Sequence, residues 1–271
     1  MGESWEVSAH PKGNSTVSSG EYKGIKFGDY YTKVLGHSSQ YPLLIKLIGP
    51  EKKLSVQVHP SNEYAKKNEN SLGKKEAWYV ISAPDDGRIV AGVSCAKQNF
   101  ESVLKKNDIE SALKYLNCKK GDVITINPGL VHALMENVIV YEVQQNSDIT
   151  YRIYDWNRVD EKTGKPRQFH IKKAMAVIKC YDIQQIKISG TRQCALLAEN
   201  EYFSLKKISF TDEYKGSSKA IGAYTMIEGK GQVSAEGSQL FEITKGSTFY
   251  APYGNNFIIK GKGVILLSSE K

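Results

Sequence analysis

Cysteine is scarce in this chain, and the four present, Cys95, Cys118, Cys180 and Cys194, form no C-x-x-C pair and fit no metal-finger spacing. A scaffold held by disulfides is thereby excluded, and buried free thiols in a reducing compartment are the expectation. Long apolar runs are missing too. No stretch approaches the length of a membrane span, and Met1 is followed by Gly2-Glu3-Ser4 rather than by the apolar core of a signal peptide. The reading is a cytoplasmic protein with no membrane partner. Nor is there a basic tract: the net charge of +8 comes from Lys and Arg spread among acids along the whole chain. That distribution argues against a nucleic-acid partner and suits a solubilising surface or a small anionic ligand.

Long amphipathic helices are few. Short runs rich in Val, Ile, Thr and Tyr recur between Gly or Pro, and with 16 Tyr and 23 Gly the composition leans to β structure. The order of segments suggests three parts. Residues 1–158 read as a strand-rich block with N-terminal strands and a small helical insertion at about 97–118, in which Phe100, Val103, Leu104, Ile109, Leu113 and Leu116 fall at helical spacings around a break at Asn107-Asp108. Residues 159–190 read as a linker in which the turn Thr163-Gly164-Lys165-Pro166 precedes a short amphipathic helix, Phe169–Cys180. Residues 191–271 form a second strand-rich block that ends in Gly263-Val264-Ile265-Leu266-Leu267.

Chemistry concentrates in the first block. In Leu54-Ser55-Val56-Gln57-Val58-His59-Pro60 the period-two alternation of a strand puts Ser55, Gln57 and His59 on one face. The next strand-like run, Gly73-Lys74-Lys75-Glu76-Ala77-Trp78-Tyr79-Val80, places Lys74, Glu76 and Trp78 together by the same rule. With His132 these supply two imidazoles, one carboxylate and one amide around a point, a donor set suited to a divalent ion of borderline softness such as Zn²⁺. Gln57 is the weakest of the four donors, because an amide oxygen binds metal less well than a carboxylate. His10, His37 and His170 have no comparable partners and read as structural.

Two turns repeat. Gly121-Asp-Val-Ile-Thr-Ile-Asn-Pro128-Gly129-Leu-Val-His132 and Gly246-Ser-Thr-Phe-Tyr-Ala-Pro252-Tyr-Gly254-Asn-Asn-Phe257 each run from a glycine turn through a short apolar strand to a Pro/Gly turn and a further strand. The pattern resembles the second hairpin motif of cupin barrels, and its repetition implies two related barrels. The expected fold is therefore mainly β: tandem cupin barrels (double-stranded β-helix, jelly-roll-like), with a small helical insertion and a short linker helix. The first copy ends in His132 and the second in Phe257, so one barrel is competent to bind metal and the other is degenerate.

These segments resemble the type I phosphomannose isomerases, most closely their short bacterial form. Ser8-Ala9-His10-Pro11 is similar to the family's N-terminal segment, Gln57-Val58-His59-Pro60 to its QxHP strand, and Lys74-Lys75-Glu76 to its KxE segment. Gly129-Leu130-Val131-His132-Ala133-Leu134 is similar to its GxxHAL turn, and Gln145-Asn146-Ser147-Asp148-Ile149-Thr150-Tyr151-Arg152 to its QNSDxTYR run. Family members usually carry a Trp-Gly-Gly segment ahead of these, and it is not among the residues here.

The resemblance implies one zinc ion held by Gln57, His59, Glu76 and His132, or by the last three alone, with Arg152 catalytic; Ser55, Lys74 and Asp148 are the expected substrate-binding residues. It also implies conversion of mannose 6-phosphate to fructose 6-phosphate by proton transfer between C1 and C2 through an enediol. Zinc would polarise the sugar oxygens, and Arg152 would stabilise the developing negative charge or pair with Asp148 or Asp155. Lys74, its pKa lowered beside a cation in a dry barrel, would serve as general base, bind phosphate or pair with a carboxylate. The competing expectation is a non-catalytic sugar-binding or regulatory cupin. The sequence leaves the oligomeric state open.

Overall fold

Strand formation dominates because β-branched and aromatic residues alternate with polar ones between glycine and proline turns. The computed structural model describes residues 2–94, 97–106, 108–160, 163–179, 184–186, 193–217, 219, 221–235 and 240–271, together with the backbone but not the side chains of 97–99, 105 and 184–186. The chain divides into two compact units, one of Met1–Glu3 with Ile48–Lys187 and one of Ser4–Leu47 with Ile188–Lys271. Cys95, Cys180 and the expected break residue Asn107 lie outside the described residues. Cys118 is a free buried thiol and Cys194 a free exposed one.

The chain opens with β1 (Gly2–Ser8) and β2 (Leu43–Gly49), which are neighbours in one sheet. The first unit then supplies β3 (Val56–Val58), β4 (Glu76–Ser82), β5 (Arg88–Val93), β6 (Leu113–Asn117), β7 (Val123–Ile126), β8 (His132–Leu134), β9 (Ile139–Gln145), β10 (Tyr151–Tyr154) and β11 (Gln184–Ile186). They fall into two antiparallel layers, one in the order β9-β4-β7-β11 and the other β10-β3-β8-β5-β6. Between the layers lies a core of Trp78, Val80, Ile124, Ile126 and Val140 from one and Ile89, Ala91 and Leu134 from the other. The outer face of the second layer, with Val56, Val58, Val90 and Ala133, is covered by Phe100, Val103 and Leu104 of helix Lys97–Lys105 and by Ala174 and Val177 of helix Ile171–Val177.

The helical insertion is shorter than its spacing suggests. Helix Lys97–Lys105 is followed by a single 3₁₀ turn at Glu110–Ala112, and Leu113–Asn117 is a strand instead of a second helix. A separation of three between Leu113 and Leu116 fits a helix on paper. The free edge of β5 decides the outcome by pairing Ile89 with Leu116, Val90 with Tyr115 and Val93 with Leu113.

The second unit continues with β12 (Cys194–Glu199), β13 (Phe203–Phe210), β14 (Glu213–Gly216), β15 (Gly222–Ala235), β16 (Phe241–Thr244), β17 (Thr248–Ala251) and β18 (Phe257–Glu270). Its sheet runs β12-β13-β18-β15-β16, with β14 on β18 and β17 on β15. Residues 4–47 open the chain yet pack in this unit. Phe27, Tyr31 and Tyr41 stand edge-on to Tyr250 at centroid distances of 5.2, 6.3 and 5.8 Å. The hydroxyl of Tyr31 also donates to Glu270 at 3.0 Å. Burial of that carboxyl pushes its pKa up, while the hydrogen bonds from Tyr31 and Tyr250 and the nearby His37 oppose the shift.

The repeated turns have matching backbones. Gly121 and Gly246 both have φ 92°, Gly129 has φ 94° and Gly254 φ 90°, with β7 and β17 following the first glycine and β8 and β18 the second. Where His132 opens β8, Phe257 opens β18 and is buried against Tyr224 and Phe249 at 5.0 and 5.3 Å.

Along β15 and β18, Gly229 faces Gly263 and Gly231 faces Gly261, so the two backbones approach too closely for side chains. A Cβ on Gly229, which has φ +84°, would lie 2.0 Å from the carbonyl oxygen of Lys262, whereas one on Gly254 would meet nothing within 4 Å. In urea denaturation, Gly229→Ala is expected to cost about 2 kcal/mol or more, against about 1 kcal/mol for Gly254→Ala. Equal losses would contradict the close approach as the reason for glycine at position 229.

Candidate functional site

Three segments meet between the layers of the first unit, and main-chain hydrogen bonds fix their meeting. The carbonyl of His59 accepts from Gly129 N–H at 2.9 Å, and that of Pro60 accepts from Lys74 N–H at 3.1 Å. Positive φ at Gly129 makes the first of these turns possible. Gly73 N–H donates to Asn62 Oδ1 at 2.7 Å, Gln145 donates to that same oxygen at 2.9 Å, and Lys75 N–H donates to Gln145 Oε1 at 3.0 Å, which fixes the entry into β4. A side chain at Gly73 would collide with the backbone of Asn62.

The result is a buried group of His59, Glu76 and His132 whose potential ligand atoms all lie within 4.8 Å of one another. Each residue is 1% exposed or less. Both rings are oriented from behind: Nδ1 of His59 donates to the carbonyl of Ile149 at 2.8 Å and Nδ1 of His132 to that of Leu130 at 2.9 Å. A carbonyl can only accept, so the Nδ1 atoms carry protons, and in its neutral form each ring keeps its Nε2 lone pair for the interior. Burial pushes the pKa of His132 down to about 4 and keeps that ring neutral at neutral pH.

Nε2 of His59 stands 3.3 Å from Oε1 of Glu76. Two electron-rich atoms face each other there, and a cation between them would turn repulsion into attraction. Bonds of roughly 2.0–2.2 Å to one ion separate its ligand atoms by about 3–4 Å, so small side-chain rotations bring the three donors into range. Two imidazole nitrogens and a carboxylate oxygen, buried and oriented from outside, fit a divalent metal.

The remaining expected residues divide. Lys74 is buried with Nζ 3.1 Å from Glu76 Oε1, so it meets the group directly. Gln57 pairs across the sheet with His132 on one side and Arg152 on the other. Residues directly opposite in an antiparallel pair share a face, so Arg152, Gln57 and His132 form one row. The Gln57 amide nitrogen is 3.4 Å from His132 Nε2 and its oxygen accepts from Ser55 at 3.4 Å, so metal ligation requires the amide to turn over. Asp148 is half-buried beside Ile149. Trp78 stands edge-on to His132 at 5.6 Å and donates its indole N–H to Glu142 at 2.7 Å.

Arg152 does not pair with Asp155. That carboxylate is taken by Arg158 and by Arg167, whose Nε reaches it at 2.7 Å, and these ion pairs overcome the upward push of burial to hold its pKa below the ordinary range. Burial, and then the Arg167 charge, lower the pKa of Arg152.

Glu142 and Gln144 were given no role from the sequence although both are buried and alternate along β9 opposite Trp78 and Glu76. The signal was present as two polar residues at period two inside an apolar strand. The charge cluster at Asp155 had no periodic signature.

Comparisons with known proteins point one way. The sequence profile of the family described as "Phosphomannose isomerase type I, catalytic domain" matches residues 1–81. The mannose-6-phosphate isomerase ManA of Bacillus subtilis (strain 168) is 32% identical over 281 residues, covering 98% of this chain and 89% of that protein. The mannose-6-phosphate isomerase of Streptococcus mutans serotype c is 32% identical over 93% of this chain and 82% of its own length. The crystal structure of the mannose 6-phosphate isomerase from Bacillus subtilis superposes with a TM-score of 0.90 at 32% identity, over 99% of this chain and 89% of that one.

His132→Ala removes one imidazole and leaves a His/carboxylate pair. Elemental analysis of purified protein is expected to fall from one divalent metal per chain to near zero. Metal retained in full by the variant would contradict this donor set.

Proposed function

The chain belongs to the type I phosphomannose isomerase family and is an aldose–ketose isomerase, and on that premise we propose that it interconverts mannose 6-phosphate and fructose 6-phosphate with one Zn²⁺ ion per chain. The observation that carries the reading is the buried convergence of His59, Glu76 and His132, with Arg152 on the same sheet face across Gln57. We take the unit built on Ile48–Lys187 as the metal-bearing cupin barrel. The unit of Ser4–Leu47 with Ile188–Lys271 is then its degenerate counterpart, a pairing supported by the matching turns at Gly121 and Gly246 and by Phe257 in the place of His132.

His59, Glu76 and His132 would hold the ion, and Gln57 would be a fourth donor if its amide turned over. A bound Zn²⁺ supplies Lewis acidity toward the sugar oxygens. Proton transfer between C1 and C2 passes through an enediol, and the negative charge that develops on the oxygens is met by Arg152, which stays cationic even where burial lowers its pKa. Lys74, buried with its Nζ 3.1 Å from Glu76 Oε1, can exchange a proton with the substrate, its ammonium form balanced by Glu76. Ser55, whose hydroxyl donates to Gln57, and Asp148 bind the substrate's polar groups in this reading. The apolar core around Trp78, Ile124 and Leu134 disfavours water beside the group.

A coupled assay for fructose 6-phosphate, run with and without chelator, tests the reading. Activity is expected to vanish with chelator and to return with Zn²⁺. Arg152→Ala is expected to lower kcat by about 100- to 1000-fold with metal content unchanged. Full turnover by that variant would overturn its role, and loss of the metal would make Arg152 structural.

A further inference from the structure

We propose that His170 is a positioning residue, which holds Arg152 in register for the reaction; this rests on the isomerase reading above. Arg152 lies on β10, the edge strand of its layer, and a bulge interrupts the pairing immediately after it. An edge position leaves main-chain groups for other partners. Residues 168–170 take them. His170 N–H donates to the Arg152 carbonyl at 2.7 Å, and Arg152 N–H donates to His170 Nδ1 at 3.2 Å. The carbonyl of Gln168 accepts from Arg152 Nη1 at 2.9 Å.

Both main-chain groups of Arg152 thus turn away from β3. Arg152 and Gln57 therefore face each other as a non-hydrogen-bonded pair, the kind in which opposite side chains come closest. The Arg152 side chain thus stands on the same sheet face as Gln57 and His132. Its Nε is buried with no protein partner among the described residues, which leaves one donor for the substrate.

The position of His170 in its own helix points the same way. It is the N-cap of Ile171–Val177, yet its side chain makes no capping hydrogen bond. The ring gives its acceptor to Arg152 instead. Accepting requires an unprotonated Nδ1, and the surroundings favour it: burial, with the charges of Arg152 and Lys173, lowers the His170 pKa against the opposing pull of Glu69. The ring of Tyr151 lies 6.4 Å away.

A double-mutant cycle on the metal-loaded enzyme tests the proposal, using mannose 6-phosphate as substrate with metal content and melting temperature measured throughout. His170→Ala is expected to lower kcat by roughly 10- to 100-fold with KM and metal content little changed. His170→Asn, whose side-chain oxygen can take the place of Nδ1 as acceptor, is expected to stay close to wild type. In an Arg152→Ala background, His170→Ala is expected to add nothing. Full kcat in His170→Ala would overturn the proposal, as would His170→Asn failing as badly as His170→Ala, or equal losses in both backgrounds. A wild-type protein that converts no mannose 6-phosphate would overturn the isomerase reading itself, whereas an active wild type with an indifferent His170 overturns only this assignment.

Discussion

Two hydrogen bonds from imidazole Nδ1 atoms to backbone carbonyls govern this molecule's chemistry. They fix the rings of His59 and His132 with their Nε2 lone pairs turned inward, one of them 3.3 Å from a carboxylate oxygen. Without those carbonyls either ring could turn its proton inward and become a donor to Glu76. Ile149 and Leu130 contribute through their main chains, so conservative replacement of their side chains leaves the tautomer control in place.

The scaffold serves that constraint. Consecutive carbonyls of His59 and Pro60 bind the Gly129 turn and the start of β4, so three segments distant in sequence share one anchor. The second unit shows the same turn without the constraint. There Phe257 is enclosed by Tyr224 and Phe249, and the interior is filled by apolar packing where the first unit has its buried His/Glu/His group. One backbone pattern accommodates both because the glycines that shape the turns do not depend on what the following strand carries inward.

Much of this was legible in the sequence, and the reasons are local. Period-two alternation placed Ser55, Gln57 and His59 on one face and Lys74, Glu76 and Trp78 on another, and the glycine repeat singled out His132. Other features depend on tertiary partners. Leu113 and Leu116 fit a helical spacing, and only the free edge of β5 makes their segment a strand. Nothing in residues 4–47 announces that Phe27, Tyr31 and Tyr41 pack on Tyr250 near the far end of the chain. His170 read as structural because its partner is a main-chain amide, which no side-chain pattern reveals.

Anomalous X-ray scattering at the zinc edge, from crystals of the Zn²⁺-loaded protein, reads the central proposition directly. One peak per chain, bonded by Nε2 of His59, a carboxylate oxygen of Glu76 and Nε2 of His132, is the result this account predicts. A peak elsewhere, or none between these three residues, would contradict it.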